Sequence, residues 1–453
     1  MPSVEISNWE GAIKSHPAVV VRATNVDEIV DIVRDTEKYP SPLRAVGSNH
    51  STTRCGVADD GTVVVMTDMN EIVRIEPDSV TTQAGALYIE VAEALRKVNL
   101  QFFVNVEIGN LTLGSAACGG TKDASMKGEV GQVCSYCIGM KLVTPAGKLI
   151  EVTEDDGELM QIMRSSYGLL GIVYEVTFRV QRLRPMTVSH TTYKLEEFAT
   201  RLPELIRTRG RDESMMLYMF PLRDRITVEY RKYLESGRIR NPWRVWGLRN
   251  LVWKTIAPLY GYLWEKYMPI RSIRYFFIDG FNWIMRQVLR YVIRGTHTSP
   301  HSQTIRYPEK SGRSKYTFSI WAFPEEEYPD IVRGYFAFCK QYYREHGYRC
   351  NLLNVGYRIA ADQGSLFSYS FDGNVLTLDP VSTGGEGWER LLVAYNEYCS
   401  ERGGVPLFNQ TKAITPEQAR KAFGDRITKF NQYRMRYDPD DRLLNEYFRE
   451  RFT

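Results

Sequence analysis

The sequence predicts an α+β fold divided between two main domains, on three observations. At 453 residues the chain is too long for one hydrophobic core. Its first third alternates β-branched runs with helically spaced apolar residues, and its last third returns to a similar mixture. Between them the texture changes after Pro185, and a basic, tryptophan-rich block fills residues 238–294.

Each element has its own local reason. Residues 18–22 (A-V-V-V-R) read as a strand. Thr24 or Asn25 then caps a helix in which Ile29, Ile32 and Val33 share one face. Residues 43–46, 62–66 and 80–83 read as further strands. Ala84-Gly85-Ala86 turns the chain into a helix through Val91, Ala94 and Leu95. A hairpin follows, with P-A-G-K at 145–148 between strands 139–143 and 149–152, and V-Y-E-V-T-F-R-V at 173–180 is a strong strand. Residues 243–254 and 281–294 have helical spacing. Beyond them, 316–323, 350–357 and 366–378 read as strands, and 328–343 and 388–402 as helices. The expected domains are 1–184, 185–425 and a C-terminal segment 426–453.

Composition excludes several classes. A net charge of +4 over this length does not suggest a nucleic-acid binder. Seven cysteines, an odd number, do not make a disulfide framework, and Cys134-Ser135-Tyr136-Cys137 has no second ligand pair for zinc. Two buried structural cysteines are expected there, and no metal. No apolar run reaches the length of a membrane span and no secretory signal opens the sequence, so a cytoplasmic location is expected. Block 238–294 holds five of the eight tryptophans and eleven Lys or Arg against two acids, Glu265 and Asp279. Its aromatic stripes either pack onto a core with arginines reaching outward, or make peripheral membrane or lipid contact.

Three glycine-bearing stretches stand in the first third: R-A-V-G-S-N-H-S at 44–51, G-N-L-T-L-G-S-A-A-C-G-G-T-K-D-A-S at 109–125, and Y-G-L-L-G-I-V at 167–173. None is the G-x-G-x-x-G or the Walker A fingerprint. Small residues still let backbone N–H groups approach a pyrophosphate. On local grounds alone, Gly47 supplies a positive φ for a turn and His50 is a surface residue.

Taken together, P-A-V-V-V-R-A-T-N-V-D-E-I-V, P-L-R-A-V-G-S-N-H-S, V-T-T-Q-A-G-A-L-Y-I-E-V-A-E-A-L and S-S-Y-G-L-L-G-I-V-Y-E-V-T-F resemble the FAD domain of the vanillyl-alcohol oxidase / p-cresol methylhydroxylase flavoproteins. The tail F-N-Q-Y-R-M-R-Y-D-P-D-D-R-L-L-N-E-Y-F is similar to the end of their sugar-alcohol and aldonolactone oxidase branch. The resemblance covers about residues 15–184 and 405–450 and is weak between them. It implies a two-subdomain FAD-binding domain, an α+β substrate domain and a tail that returns to the FAD domain.

It also implies roles. Ala45, Val46, Gly47, Ser48, Asn49, His50 and Ser51 would form the pyrophosphate loop, with His50 at the position of covalent flavin attachment. Gly114, Ser115, Cys118, Gly119, Gly120, Thr121, Lys122, Ala124 and Ser125 would run along the isoalloxazine and ribityl chain. Gly171 and Ile172 would hold the adenine by backbone contacts. Where relatives carry H-G-x-G, this chain has Thr121-Lys122-Asp123, so Lys122 becomes a cation near the ring. In Phe408-Asn409-Gln410-Thr411-Lys412 the branch's lysine is kept, making Lys412 and Gln410 candidates on the catalytic side. The branch's E-x-R-like pair is absent from Asn354-Val355-Gly356-Tyr357, which leaves Tyr357 or Arg358 facing the site according to strand register. No histidine is well placed as a base, His301 being the remaining one.

The implied activity is FAD-dependent oxidation of a CH–OH group of a sugar-like or polyol substrate, with oxygen or another acceptor reoxidising the flavin. The alternatives are a hydrophobic, lipid-linked or natural-product substrate, as in decaprenylphosphoryl-ribose oxidases, or a flavin-binding protein without turnover.

Overall fold

The computed structural model describes residues 5–239, 242–310, 312–313 and 316–452. After a short antiparallel pair, Ile6–Ser7 with Lys14–Ser15, three parallel strands stand in the order Val19–Arg22, Thr62–Val65, Leu43–Val46. Helix Val26–Arg34 covers them. Asn25 caps it by accepting from Glu28 N at 3.0 Å, and Ile29, Ile32 and Val33 are buried beneath. Beside this layer stands an antiparallel sheet ordered Leu149–Thr153, Cys137–Val143, Ile172–Arg182, Ser79–Gln83, Ile72–Ile75, with Leu100–Phe102 also pairing with Ile172–Arg182. The turn at Gly85 needs glycine because a Cβ there would lie 1.9 Å from the Met66 carbonyl oxygen.

The strand Ile172–Arg182 ends in this sheet, and Pro185–Lys194 begins another. That second sheet has eight strands, ordered Gly295–Thr298, Pro185–Lys194, Arg225–Tyr233, Ser214–Phe220, Asn354–Ile359, Val375–Leu378, Trp321–Pro324, Val405–Pro406. Helices Leu195–Leu205, Tyr328–His346 and Glu386–Glu401 cover one face over a core that includes Phe198, Trp321, Tyr335 and Trp388. Ser214–Phe220 is buried on both faces. Met215, Leu217 and Met219 point to that core, while Met216, Tyr218 and Phe220 point to a second cluster with Trp246. Residues 242–267 are helical, as Pro242–Leu251, a wider turn Val252–Ile256 and Ala257–Tyr267, and a further helix runs over Arg271–Tyr291.

The structure corrects three expectations. Only Val375–Leu378 of 366–378 is a strand, because Leu366 and Phe367 leave the sheet for the first core and Ser368 Oγ accepts from Gln132 Nε2 at 2.6 Å. The return to the first core begins before residue 426, since Phe408, Ile414, Ala419 and Phe423 already belong to it. In the loop 44–51, the positive φ falls on Asn49 (+55°), not Gly47.

The tail is sewn to the first layer by one arginine. Arg442 donates to the carbonyls of Ile32 (2.9 Å), Val33 (3.1 Å) and Tyr39 (2.6 Å), which include carbonyls at the end of the first helix, while Leu43 N donates to Arg442 O at 2.8 Å. Asn445 Nδ2 reaches the Arg54, Cys55 and Val57 carbonyls. Arg442→Met removes a buried donor from three carbonyls and should lower the unfolding free energy by about 3 kcal/mol or more, read as a lower urea midpoint. Arg22→Met, at an arginine whose side chain is 61% exposed, should cost less than about 1 kcal/mol.

Candidate active site

The loop of residues 47–51 leaves the carboxyl end of Leu43–Val46, an edge strand of the parallel layer, where open α/β sheets bind ligands. Among the described residues, no acceptor meets the backbone N–H groups from 47 to 51, and Asn49 is left-handed. Such a run of free N–H groups is an anion-binding concavity. Gly47 lets the loop close on the second glycine-bearing stretch, since a Cβ there would lie 2.0 Å from Thr112 Oγ1. The N-terminal segment braces the loop from behind: Trp9 N donates to Asn49 O (2.9 Å) and Asn8 Nδ2 to Ser51 O (2.9 Å). The Trp9 ring lies 5.7 Å from the His50 imidazole. Burial pushes the His50 pKa down to about 4, so the ring is neutral with a free lone pair at pH 7.

Residues 408–410 join the same wall. Ser51 Oγ donates to Asn409 O (2.8 Å), Thr53 Oγ1 to Phe408 O (2.7 Å), and Asn409 Nδ2 to Gly120 O (2.8 Å). Segments 44–51, 111–121 and 409–410 thus contribute to one cleft, closed on the far side by the eight-stranded sheet and by Arg249, Trp253, Ala257 and Pro258.

The cleft wall is charged where the two halves of the chain meet. Lys122 Nζ lies 2.7 Å from Asp379 Oδ2, with side chains 4% and 2% exposed, and 3.7 Å from the Tyr357 ring centroid. Burial drives the Lys122 pKa down and the Asp379 pKa up, and their attraction opposes both shifts. Asp379 Oδ1 is buried and has no hydrogen-bond partner among the described residues, and so is Asn409 Oδ1. Next along, Asp123 Oδ2 accepts from Arg231 Nη1 (2.8 Å), and Arg231 Nε donates to Glu229 (2.5 Å). Glu107 pairs with Arg249 (2.9 Å) and accepts from Tyr307 OH (2.8 Å).

Most residues singled out in the sequence reach this cleft. Ala45, Val46, Gly47, Ser48, Asn49, His50, Ser51, Gly114, Ser115, Cys118, Gly119, Thr121, Lys122, Gly171, Tyr357 and Gln410 line it. Five do not. Gly120 faces Leu407, and Ile172 is buried in the core under the first helix. Ala124 packs with Met186 and Tyr218 on the second sheet, while Ser125 Oγ accepts from Ala360 N (2.9 Å). Lys412 is drawn away by Glu10, 2.6 Å off, both side chains buried. Of the two lysines singled out, Lys122 is the one at the wall. Register turns Tyr357 inward and sends Arg358 to Glu325 (2.5 Å). Cys134 and Cys137 are buried free thiols whose pKa values burial raises. The side chain of His301 lies outside the described residues. Asp379, Asn409 and the Glu107–Arg249 pair were not singled out as site residues. Asp379 has only one local signal, an acid that ends the strand L-T-L.

Residues 17–153 match the family model described as an FAD binding domain. The chain is 24% identical over 221 residues to L-gulono-1,4-lactone dehydrogenase of Mycobacterium tuberculosis, a match covering 48% of this chain and 50% of that protein. It is 23% identical over 235 residues to L-gulonolactone oxidase of Bos taurus, covering 51% and 52%. These matches thus span about half the length of the curated relatives. Among solved structures, cholesterol oxidase from B. sterolicum superposes with a TM-score of 0.78 at 12% identity, over 99% of this chain and 96% of that one. Residues 17–153 are therefore an FAD binding domain.

Proposed function

We propose that the chain oxidises a CH–OH group of a sugar-like or polyol substrate. When bound, FAD supplies the hydride acceptor, and oxygen or another acceptor restores it. The observation that carries the substrate class is the pair of buried, unpartnered acceptors in the cleft, Asp379 Oδ1 and Asn409 Oδ1. Buried acceptors without donors are costly, and substrate hydroxyls satisfy them.

The loop 47–51 holds the anionic pyrophosphate through its free N–H groups. Neutral His50 is the nucleophile available for covalent attachment. Asp379 accepts the hydroxyl proton at Oδ1 while Lys122 orients it through Oδ2, and Tyr357 and Gln410 contact the substrate. A second reading, a hydrophobic or lipid-linked substrate, is favoured by Trp253, Ala257, Pro258, Leu352, Leu353 and Val381 on the same wall.

Three outcomes are expected. On denaturation the yellow colour should stay with the polypeptide and be released from His50→Ala; free flavin from the unsubstituted chain sinks the attachment. In a panel of aldonolactones, polyols and prenyl-phosphate sugars, anaerobic bleaching of the flavin absorbance should occur with a hydroxyl-rich member. Bleaching by none of them leaves a flavin-binding protein without turnover. With the bleaching substrate, Asp379→Asn should slow reduction by about 10²- to 10⁴-fold with flavin content unchanged. Because burial raises the Asp379 pKa, the base is lost as pH falls through that raised value. The acid limb of the rate profile should therefore vanish in the variant.

A further inference from the structure

A surface helix ordinarily has one apolar stripe, turned to the core. Helix Arg271–Tyr291 has two. Tyr275, Ile278 and Met285 are buried against the protein, whereas Ile273, Phe276, Phe277, Ile284 and Tyr291 follow helical spacing on the solvent side. Phe276 is 69% and Trp283 57% exposed. Fourteen of the 21 exposed large apolar side chains among the described residues fall between 239 and 292. Isolated exposed apolar residues are ordinary, but a concentration of this kind marks a contact surface.

The charge of the same block says what it contacts. Residues 238–294 carry eleven Lys or Arg and two acids, while the whole chain nets +4, so the rest of the chain is net acidic. Both acids are engaged inward. Glu265 accepts from Asn351 and Thr383, and Asp279 pairs with Arg223 (2.7 Å) and Arg349 (3.0 Å), both outside the block. Under the outward stripe lies a second cavity, walled by Phe276, Trp283 and Leu353, into which Arg225, Arg286 and Arg349 converge. Arg286 has no carboxylate partner among the described residues and stands over the Phe220 ring, 5.9 Å from its centroid. A second copy of this chain is a poor occupant, because a two-fold contact would set two such basic faces together. No helix of the described residues is long and apolar enough to cross a membrane.

We propose that residues 257–291 form a docking face for an anionic lipid bilayer. The stripe Ile273, Phe276, Phe277, Trp283 and Ile284 enters the interface, and Arg286 and Arg290 meet lipid phosphates. The net-acidic remainder turns this face, and no other, toward the membrane. The proposal makes no use of the reaction assigned to the cleft.

The test is co-sedimentation of the full-length, flavin-loaded protein with vesicles of phosphatidylcholine alone or mixed with phosphatidylglycerol. Binding should require phosphatidylglycerol and weaken as salt rises. Phe276→Ser with Trp283→Ser, and separately Arg286→Glu with Arg290→Glu, should each reduce binding at least tenfold with an unchanged flavin spectrum. Phe276, Trp283 and Arg290 are exposed and Arg286 is half-buried, and the flavin spectrum checks that both double variants fold. Equal binding to both vesicle types, no binding to either, or binding untouched by both double variants overturns the proposal. So does a wild-type dimer in sedimentation that Phe276→Ser with Trp283→Ser dissolves, because the face then belongs to a second copy.

Discussion

Among the described residues, four ion pairs with largely buried side chains join the first 184 residues to the rest of the chain: Glu10–Lys412 (2.6 Å), Glu107–Arg249 (2.9 Å), Lys122–Asp379 (2.7 Å) and Asp123–Arg231 (2.8 Å). Each takes one partner from each half, and only Glu107 is appreciably exposed, at 32%. A charge left alone at such a seam costs about 3–5 kcal/mol. The two halves are therefore registered to each other wherever these groups meet. The cleft exists because they meet around it. The same pairing decides chemistry: Glu10 takes Lys412 out of the site, and Asp379 holds Lys122 in it.

Around that seam, the side of the cleft formed by loop 47–51 is built from backbone rather than side chains. Among the described residues the N–H groups of loop 47–51 have no acceptor, while N-terminal residues 7–9 and Asn409 engage its carbonyls and side chains. The tail locks the arrangement from below, with Arg44 donating to the Cys55, Tyr167 and Leu443 carbonyls, and Arg442 clamping the first helix. Segments distant in sequence thus hold one short loop still, as a preorganised anion site requires.

The opposite wall has a different character. Trp253, Ala257 and Pro258 line the cleft, and the helix that follows turns apolar and basic side chains outward. One helical block therefore borders both the candidate substrate site and the surface assigned to lipid. A sheet strand could not serve in this way, because Ser214–Phe220 already buries both its faces.

Local periodicity was enough for the first third of the fold. A capping Asn25, buried Ile29, Ile32 and Val33, and β-branched strands carry their own instructions. Loop 44–51 was legible only through resemblance, taken together with the other glycine-bearing stretches, since local grounds alone gave a turn at Gly47. The 366–378 stretch was not legible, because the apolar Leu366 and Phe367 satisfy either a strand or a distant core, and only packing chooses. The substrate side was hidden for a related reason. Whether Lys122 or Lys412 faces the cleft depends on which carboxylate each meets. Glu10 and Asp379 stand hundreds of positions apart from their partners in sequence. Sequence alone determined the strands and the capped helix of the first third, whose periodicity is local. Tertiary structure decided the polar groups of the substrate wall, because a buried charge is placed by its counter-ion and not by its neighbours in the chain.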